Sequence, residues 1–253
     1  AVTYLVVGKA SANRGDLDRA IGSYTAVVGL RPRVGAREWL AIAYGYRGTA
    51  YVDRGEPASA VEDFQQALAL SPQRLIYKER LVLGYVARGG ARLERDDLDG
   101  AIADLEAALG LASGHPTAPR TLALAYARRG LQRAEAGLMA PALEDLARAL
   151  ALQPQSADHL VARGRILAQA GQHEAALGDY ARALELGPAW AAYYGRGRSL
   201  FALGRYPEAA ADYREARIAL ARLPEGEERA RGTELVTKAQ GELRPFLPRR
   251  PAP

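Results

Sequence analysis

The chain has 253 residues, with 34 Lys and Arg against 29 Asp and Glu, which leaves a formal net charge of +5 at pH 7. It contains no Cys, so disulfides and thiolate metal sites are excluded. No apolar run is long enough to span a membrane, and no signal-peptide pattern is present. We therefore expect a cytoplasmic location, while an exported chain or a fragment whose upstream region was removed before Ala1 stays open.

The cationic residues are strongly biased toward Arg. Only Lys9, Lys78 and Lys238 are Lys, and the chain has a single Asn and a single Met. Few thermolabile residues together with many ionic ones are typical of thermophile proteins. A GC-rich genome would produce the same bias, so both origins remain open.

A repeated pattern of small and aromatic residues organises the chain. With residues 41–74 as a unit of 34 positions, units begin at residues 1, 41, 82, 123, 157 and 190. Position 8 is always Gly: Gly8, Gly48, Gly89, Gly130, Gly164 and Gly197. Position 20 is always Ala: Ala20, Ala60, Ala101, Ala142, Ala176 and Ala209. Apolar or small residues three and four apart predict helices, and the Gly at position 15, replaced only by Asp96, predicts a turn between two of them.

The second unit shows a known signature. Tyr44, Gly48 and Tyr51 are followed by Ala60, Phe64 and Pro72. This order of residues resembles the tetratricopeptide repeat (TPR) family. The resemblance implies an all-α, right-handed superhelical solenoid of six helical hairpins over residues 1–222, whose first helices line a concave face. Small residues at positions 8 and 20 would let paired helices approach closely, with large residues filling the space around them.

The spacing of the units is uneven, at 40, 41 and 41 residues and then 34 and 33. Because seven residues are close to two helical turns, we expect longer first helices in the second to fourth units. Residues 73–94 then form one helix, and Pro119 opens another unless the loop 112–117 absorbs the extra length. We expect a capping helix at 223–243 and an extended Pro-rich tail at 244–253.

Arg and Asp recur together in five units. Position 7 is Arg47, Arg88, Arg129, Arg163 and Arg196, and position 23 is Asp63, Asp104, Asp145, Asp179 and Asp212. The first unit lacks both. In an antiparallel hairpin these positions face each other, so we predict five ion pairs rather than a free cationic stripe.

No residue set indicates catalysis. His115, His159 and His173 are isolated, and residues 96–100 lack the closing Glu of a calcium loop, so a solvated turn is favoured there. No Ser, His and Asp set can be singled out for nucleophilic catalysis. The sequence therefore predicts a non-enzyme without a cofactor or metal site.

The candidate binding residues lie on the expected inner face of the last three units. They are Arg128, Arg165, Gln169, Tyr194, Arg198 and Phe201. Arg165 and Arg198 share position 9, and Arg beside aromatic residues can hold a carboxylate or stack on a planar group. A solvated helix face is the alternative. The carboxylate clamp of some family members needs a Lys at position 5, which is absent in all six units, so chaperone-tail recognition is not implied.

These features favour a protein-interaction scaffold that binds a protein or peptide segment, acidic segments included, in the concave groove. Nucleic-acid or other polyanion binding through an Arg-rich surface is the alternative, and it is disfavoured because the anions nearly balance the cations. Val2, Leu5 and Val6 make the first helix apolar on several sides. That helix is either ordinary core or an exposed edge that another copy of the chain or a missing upstream segment covers.

Overall fold

The computed structural model describes residues 2–30 and 34–247. Within these ranges the chain forms thirteen α-helices and one short 3-10 helix, with no β-strand, which confirms the predicted all-α fold. No helix in the same ranges is long and apolar enough to cross a membrane. The chain divides into two compact units, Ala1–Ala125 and Tyr126–Pro253.

The first unit contains three complete helical hairpins. Its helices are α1 (Val2–Asn13), α2 (Leu17–Leu30), α3 (Val34–Asp53), α4 (Pro57–Leu70), α5 (Leu75–Glu94), α6 (Leu98–Leu111) and the start of α7 (Ala118–Glu135). Helices α1, α3 and α5 each pack against the helix that follows, and α2 and α4 also pack against the next hairpin.

The second unit continues the same arrangement. It holds the rest of α7, α8 (Met139–Leu152), α9 (Ala157–Gln169), α10 (His173–Leu186), α11 (Trp190–Ala202), α12 (Tyr206–Ala221) and α13 (Glu227–Leu243). Within it, α9 pairs with α10 and α11 pairs with α12, while α13 packs against α12 and α11.

The close approach at position 8 is visible in the contacts. A Cβ added to Gly48 would lie 2.7 Å from Phe64 Cε1, and one on Gly197 would lie 2.6 Å from Tyr213 Cε1. Residue 24 of each repeat thus packs its side chain directly on the backbone of the paired helix. The Ala residues at position 20 are fully buried, so both small positions serve close packing as the sequence predicts.

The longer spacings extend the first helices. Helices α3 and α5 have 20 residues and α7 has 18, against 13 each for α9 and α11. The helix predicted over 73–94 is uninterrupted but begins two residues later, at residue 75. In the fourth repeat Pro119 is the second residue of α7, and residues 112–117 form a loop, so helix and loop share the extra length there.

The C-terminal end differs from expectation. Arg244–Phe246 forms a 3-10 helix rather than the start of an extended tail. The ring of Phe246 lies 5.6 Å from that of Phe201 and 4.7 Å from that of Tyr206, centroid to centroid. These aromatic contacts hold the segment against the last hairpin despite its Pro. The remainder of the predicted tail, 248–253, lies outside the described residues.

Candidate interaction groove

The predicted ion pairs, here called the Arg–Asp ladder, form in all five repeats. In each pair Nε and Nη2 of the Arg donate to the two carboxylate oxygens of the Asp, over 2.6–2.9 Å. The pairs are Arg47–Asp63, Arg88–Asp104, Arg129–Asp145, Arg163–Asp179 and Arg196–Asp212. All five Asp are buried. The ladder therefore consists of bidentate structural pairs, and the prediction is confirmed.

Further contacts to the ladder were missed by sequence reasoning. Arg92 and Arg133 each donate to a ladder carboxylate, Asp104 and Asp145, at 2.8 Å. In four repeats the ladder Arg also lies 5.4–5.8 Å from the ring of the Tyr three residues before it, a cation–π contact. The sequence contains the information needed to predict this contact. The Tyr occupies position 4 and the Arg position 7, and residues three apart lie on the same face of a helix.

A groove in the second unit gathers most of the predicted site. It is lined by α9, α10, α11 and α13, has a volume of about 1020 Å³, and is called the C-terminal groove. Its lining includes five predicted residues: Arg165, Gln169, Tyr194, Arg198 and Phe201. The sixth, Arg128, lies on α7 and is not among the residues that line it.

Helix α13 forms one wall of this groove, which the sequence did not predict. Glu227, Glu228, Arg231 and Leu235 of that helix line the cavity. The indole Nε1 of Trp190, another unpredicted lining residue, donates to Glu228 Oε1 at 3.0 Å. The repeat pattern gives no register for a capping helix, so nothing in it shows which face of α13 would meet the groove.

The two position 9 Arg residues of this groove differ in their partners. Arg198 Nη1 donates to Glu242 Oε2 of α13 at 2.6 Å, and both side chains are partly exposed. Arg165 is exposed and has no ion-pair partner within the described part of the chain. Of the two cations expected to be available for binding, Arg198 is therefore paired with a carboxylate of α13, and Arg165 remains.

The first unit has a groove of about 810 Å³, called the N-terminal groove. Lys9, Asn13, Thr49 and Asp53 line it. Trp39 lines it too, with Lys9 Nζ lying 5.1 Å from the centre of its ring. Sequence reasoning missed Trp39 because it lies in the extension of α3, outside the 34-residue register.

The three His residues occupy separate places. His115 Nδ1 accepts a hydrogen bond from the backbone N–H of Ala118 at the start of α7, over 3.2 Å. His159 is buried, its Nδ1 has no partner, and burial lowers its pKa against an opposing effect of Asp158. His173 begins α10 and lines the C-terminal groove. Among the described residues, no three His, Asp or Glu side chains group as a metal site would require.

The acidic segment at 96–100 is a turn followed by a helix cap. Asp96 has a left-handed backbone, with φ of 62°, at the position where the other five repeats have Gly. Asp97 Oδ1 accepts from the backbone N–H of Gly100 at 3.0 Å and caps α6. The predicted turn is confirmed.

Family models described as tetratricopeptide repeat match residues 41–74, 133–189 and 170–224. These ranges coincide with hairpins whose packing follows the same register of Gly and Ala. The chain is a tetratricopeptide repeat protein. No curated protein matches this TPR protein significantly.

A solved TPR structure shares its fold. The chain is similar to YrrB, a TPR protein with an unusual peptide-binding site, at 17% identity over 86% of this chain and 97% of that one, with a TM-score of 0.50. MamA from AMB-1 matches at 18% identity over 73% and 93%, with a TM-score of 0.48. The TPR2AB-domain–pHSP90 complex of yeast Sti1 matches at 18% over 94% and 97%, with a TM-score of 0.41. At such identities the likeness shows the fold alone.

Proposed function

We propose that this TPR protein is an interaction scaffold that binds a segment of a partner protein in the C-terminal groove. The observation that carries the proposal is the makeup of the groove, which joins aromatic side chains to an Arg165 without an ion-pair partner in the described chain. The proposal assigns the chain a binding role and no catalytic step. The peptide-binding site named for YrrB is in keeping with it.

The groove offers distinct contacts to a bound segment. Trp190, Tyr194 and Phe201 provide large apolar surface, and aromatic side chains dominate the energetics of such interfaces. Arg165 and Gln169 add polar groups that can orient the segment. The volume of about 1020 Å³ suits several residues of a peptide rather than a whole folded domain.

A displayed library of random peptides, selected on the immobilised full chain, tests this proposal. Ala202 is exposed and lines the groove, so Ala202→Trp would fill it without changing the core. Ala175 is equally exposed on α10 and does not line the groove, so Ala175→Trp is the matched control. We expect selected peptides to bind Ala202→Trp at least about tenfold more weakly, a loss of about 1.4 kcal/mol, and to bind the control unchanged. Failure to enrich any peptide, or equal binding to both variants, would contradict the proposal.

We also propose that the exposed face of α1 mediates self-association. In the later repeats position 3 of the first helix is buried, as at Ala43, Gly84 and Ala192. In α1 position 3 is Thr3, which is exposed, and the neighbouring Val2 and Val6 are 77% and 62% exposed. Apolar side chains grouped in this way favour association with another apolar surface.

A further inference from the structure

Two positions of the repeat vary together. In three repeats position 24 is Tyr and position 9 is cationic, giving Tyr24 with Lys9, Tyr180 with Arg165 and Tyr213 with Arg198. In the other three repeats neither condition holds, and the pairs are Phe64 with Thr49, Leu105 with Gly90 and Leu146 with Leu131. A hydroxyl at position 24 thus occurs only beside a cation at position 9.

The packing explains why these two positions meet. The Tyr180 ring passes against Gly164 of α9, where an added Cβ would lie 2.9 Å from Cε1. The far end of the ring reaches α11, where a Cβ on Gly195 would lie 2.7 Å from the hydroxyl oxygen. The Tyr180 ring therefore crosses beneath α9, and its hydroxyl ends next to α11. It lies beside the residue that follows Gly164 in the sequence. That residue is Arg165, and both it and Tyr180 line the C-terminal groove.

In the last repeat the Arg of such a pair binds a carboxylate. There Arg198 binds the carboxylate of Glu242, which α13 brings to the inner face. Burial raises the pKa of Tyr213, while the charge of Arg198 lowers it and that of Glu242 raises it, so all three groups are near one another. Helix α13 thus places Glu242 on the position 9 Arg, while the buried hydroxyl of Tyr213 at position 24 has no hydrogen-bond partner in the described chain.

The fifth repeat has the same pair without the carboxylate. Burial raises the pKa of Tyr180 and the charge of Arg165 opposes this rise, which mirrors the last repeat. Ser199 lies in the same lining, is fully buried, and its hydroxyl has no hydrogen-bond partner in the described chain. A buried hydroxyl without a partner is costly unless a ligand satisfies it.

We infer that Arg165 and Tyr180 form a subsite for one carboxylate, the side chain of a Glu or Asp in the bound protein segment. This inference rests on the proposed function and specifies its ligand. Arg165 supplies charged donors, as Arg198 does for Glu242, and Tyr180 can supply a neutral one. Glu227 and Glu228 on the α13 wall outnumber its one Arg, Arg231, so that wall repels further negative charge and favours a single carboxylate over a phosphate dianion or a polyanion.

The direct probe is N-acetyl-L-glutamic acid α-methylamide, titrated into the ¹⁵N-labelled full chain and followed by NMR. We expect saturating shifts at Arg165 Nε–Hε and the Gly195 amide, with no such response to the glutamine analogue. Tyr180→Phe keeps the ring and should weaken binding about fivefold or more, as loss of one hydrogen bond to a charged group does. Arg165→Gln should abolish the Gly195 shift, and Arg182→Gln, at an exposed site on α10, should leave it unchanged.

A second variant tests the equivalence of the two repeats. Glu242→Gln removes the internal carboxylate, so the probe should then also shift the Gly197 amide beside Arg198. The assignment is overturned if the glutamate and glutamine probes give equal responses, or if Arg165→Gln leaves the response unchanged. It is also overturned if the analogue with phosphoserine in place of glutamic acid binds more tightly. If library peptides bind in an Ala202-sensitive manner while the glutamate probe fails, the carboxylate subsite is wrong and the peptide groove stands. If the glutamate probe binds and no peptide is enriched, the carboxylate subsite stands and the peptide-binding proposal is wrong.

Discussion

Single buried carboxylates tie the two helices of most hairpins together. Asp145 is 2% exposed and accepts hydrogen bonds from both Arg129 and Arg133. A buried charge is tolerated when it is paired and its hydrogen bonds are satisfied, and the loss of one partner leaves the other exposed to the full desolvation cost. The ladder could be predicted because Arg and Asp are present or absent together in each unit.

Asp145→Ala should lower the free energy of unfolding by roughly 3–5 kcal/mol, because it leaves two guanidinium groups without their carboxylate. Urea denaturation followed by circular dichroism measures this. Asp53→Ala, at an exposed position at the end of α3, is the control and should change the stability by less than about 0.5 kcal/mol. Asp97 is unsuitable as a control because it caps α6. Equal losses from the two variants would show that the ladder contributes nothing beyond surface charge.

His159 gives the fold a dependence on pH. It occupies position 3, where the second, third, fourth and sixth repeats have Ala or Gly, and burial lowers its pKa in the folded state. The unfolded chain then binds the proton more readily, so stability is complete above the ordinary His pKa of about 6.5 and declines as the pH falls below it. Unfolding midpoints measured from pH 8 to pH 5 should show this decline, and His159→Ala should make it shallower. An unchanged profile in the variant would contradict this account.

The helices were predictable where the register is regular and less so where it ends. Six hairpins and the extended α3 and α5 follow from spacing alone, since two added turns keep the same face inward. The docking of α13 does not, because its contacts depend on Trp190 and Arg198 of the preceding hairpin rather than on a repeated pattern. The short helix at Arg244–Phe246 likewise depends on aromatic partners distant in sequence.

The open face of α1 predicts a concentration-dependent mass. Light scattering of the wild-type chain should show a molar mass that rises with concentration, since exposed Val2 and Val6 gain by burial. Val6→Asp should keep the chain monomeric, whereas Val52→Asp, at another exposed Val on α3, should not. A wild-type chain that is monomeric at high concentration would exclude self-association through this helix.

Across the whole chain, the charge available for recognition is smaller than the composition suggests. The net charge is +5, and five of the Arg residues are bound to buried Asp. Five of the six predicted residues line one groove, because the resemblance to the TPR family implied which positions face inward. The groove wall that α13 forms was not predicted from the sequence, and neither was the ion pair between Arg198 and Glu242, since both come from α13.

The most direct test of the scaffold proposal is to map where a selected peptide binds. Amide chemical-shift perturbation of the ¹⁵N-labelled full chain, titrated with a library-selected peptide, measures this residue by residue. The account predicts the largest shifts on α9, α11 and the groove-facing residues of α13, including Gln169, Tyr194 and Leu235. Shifts concentrated on α12, or confined to residues 2–125, would contradict it.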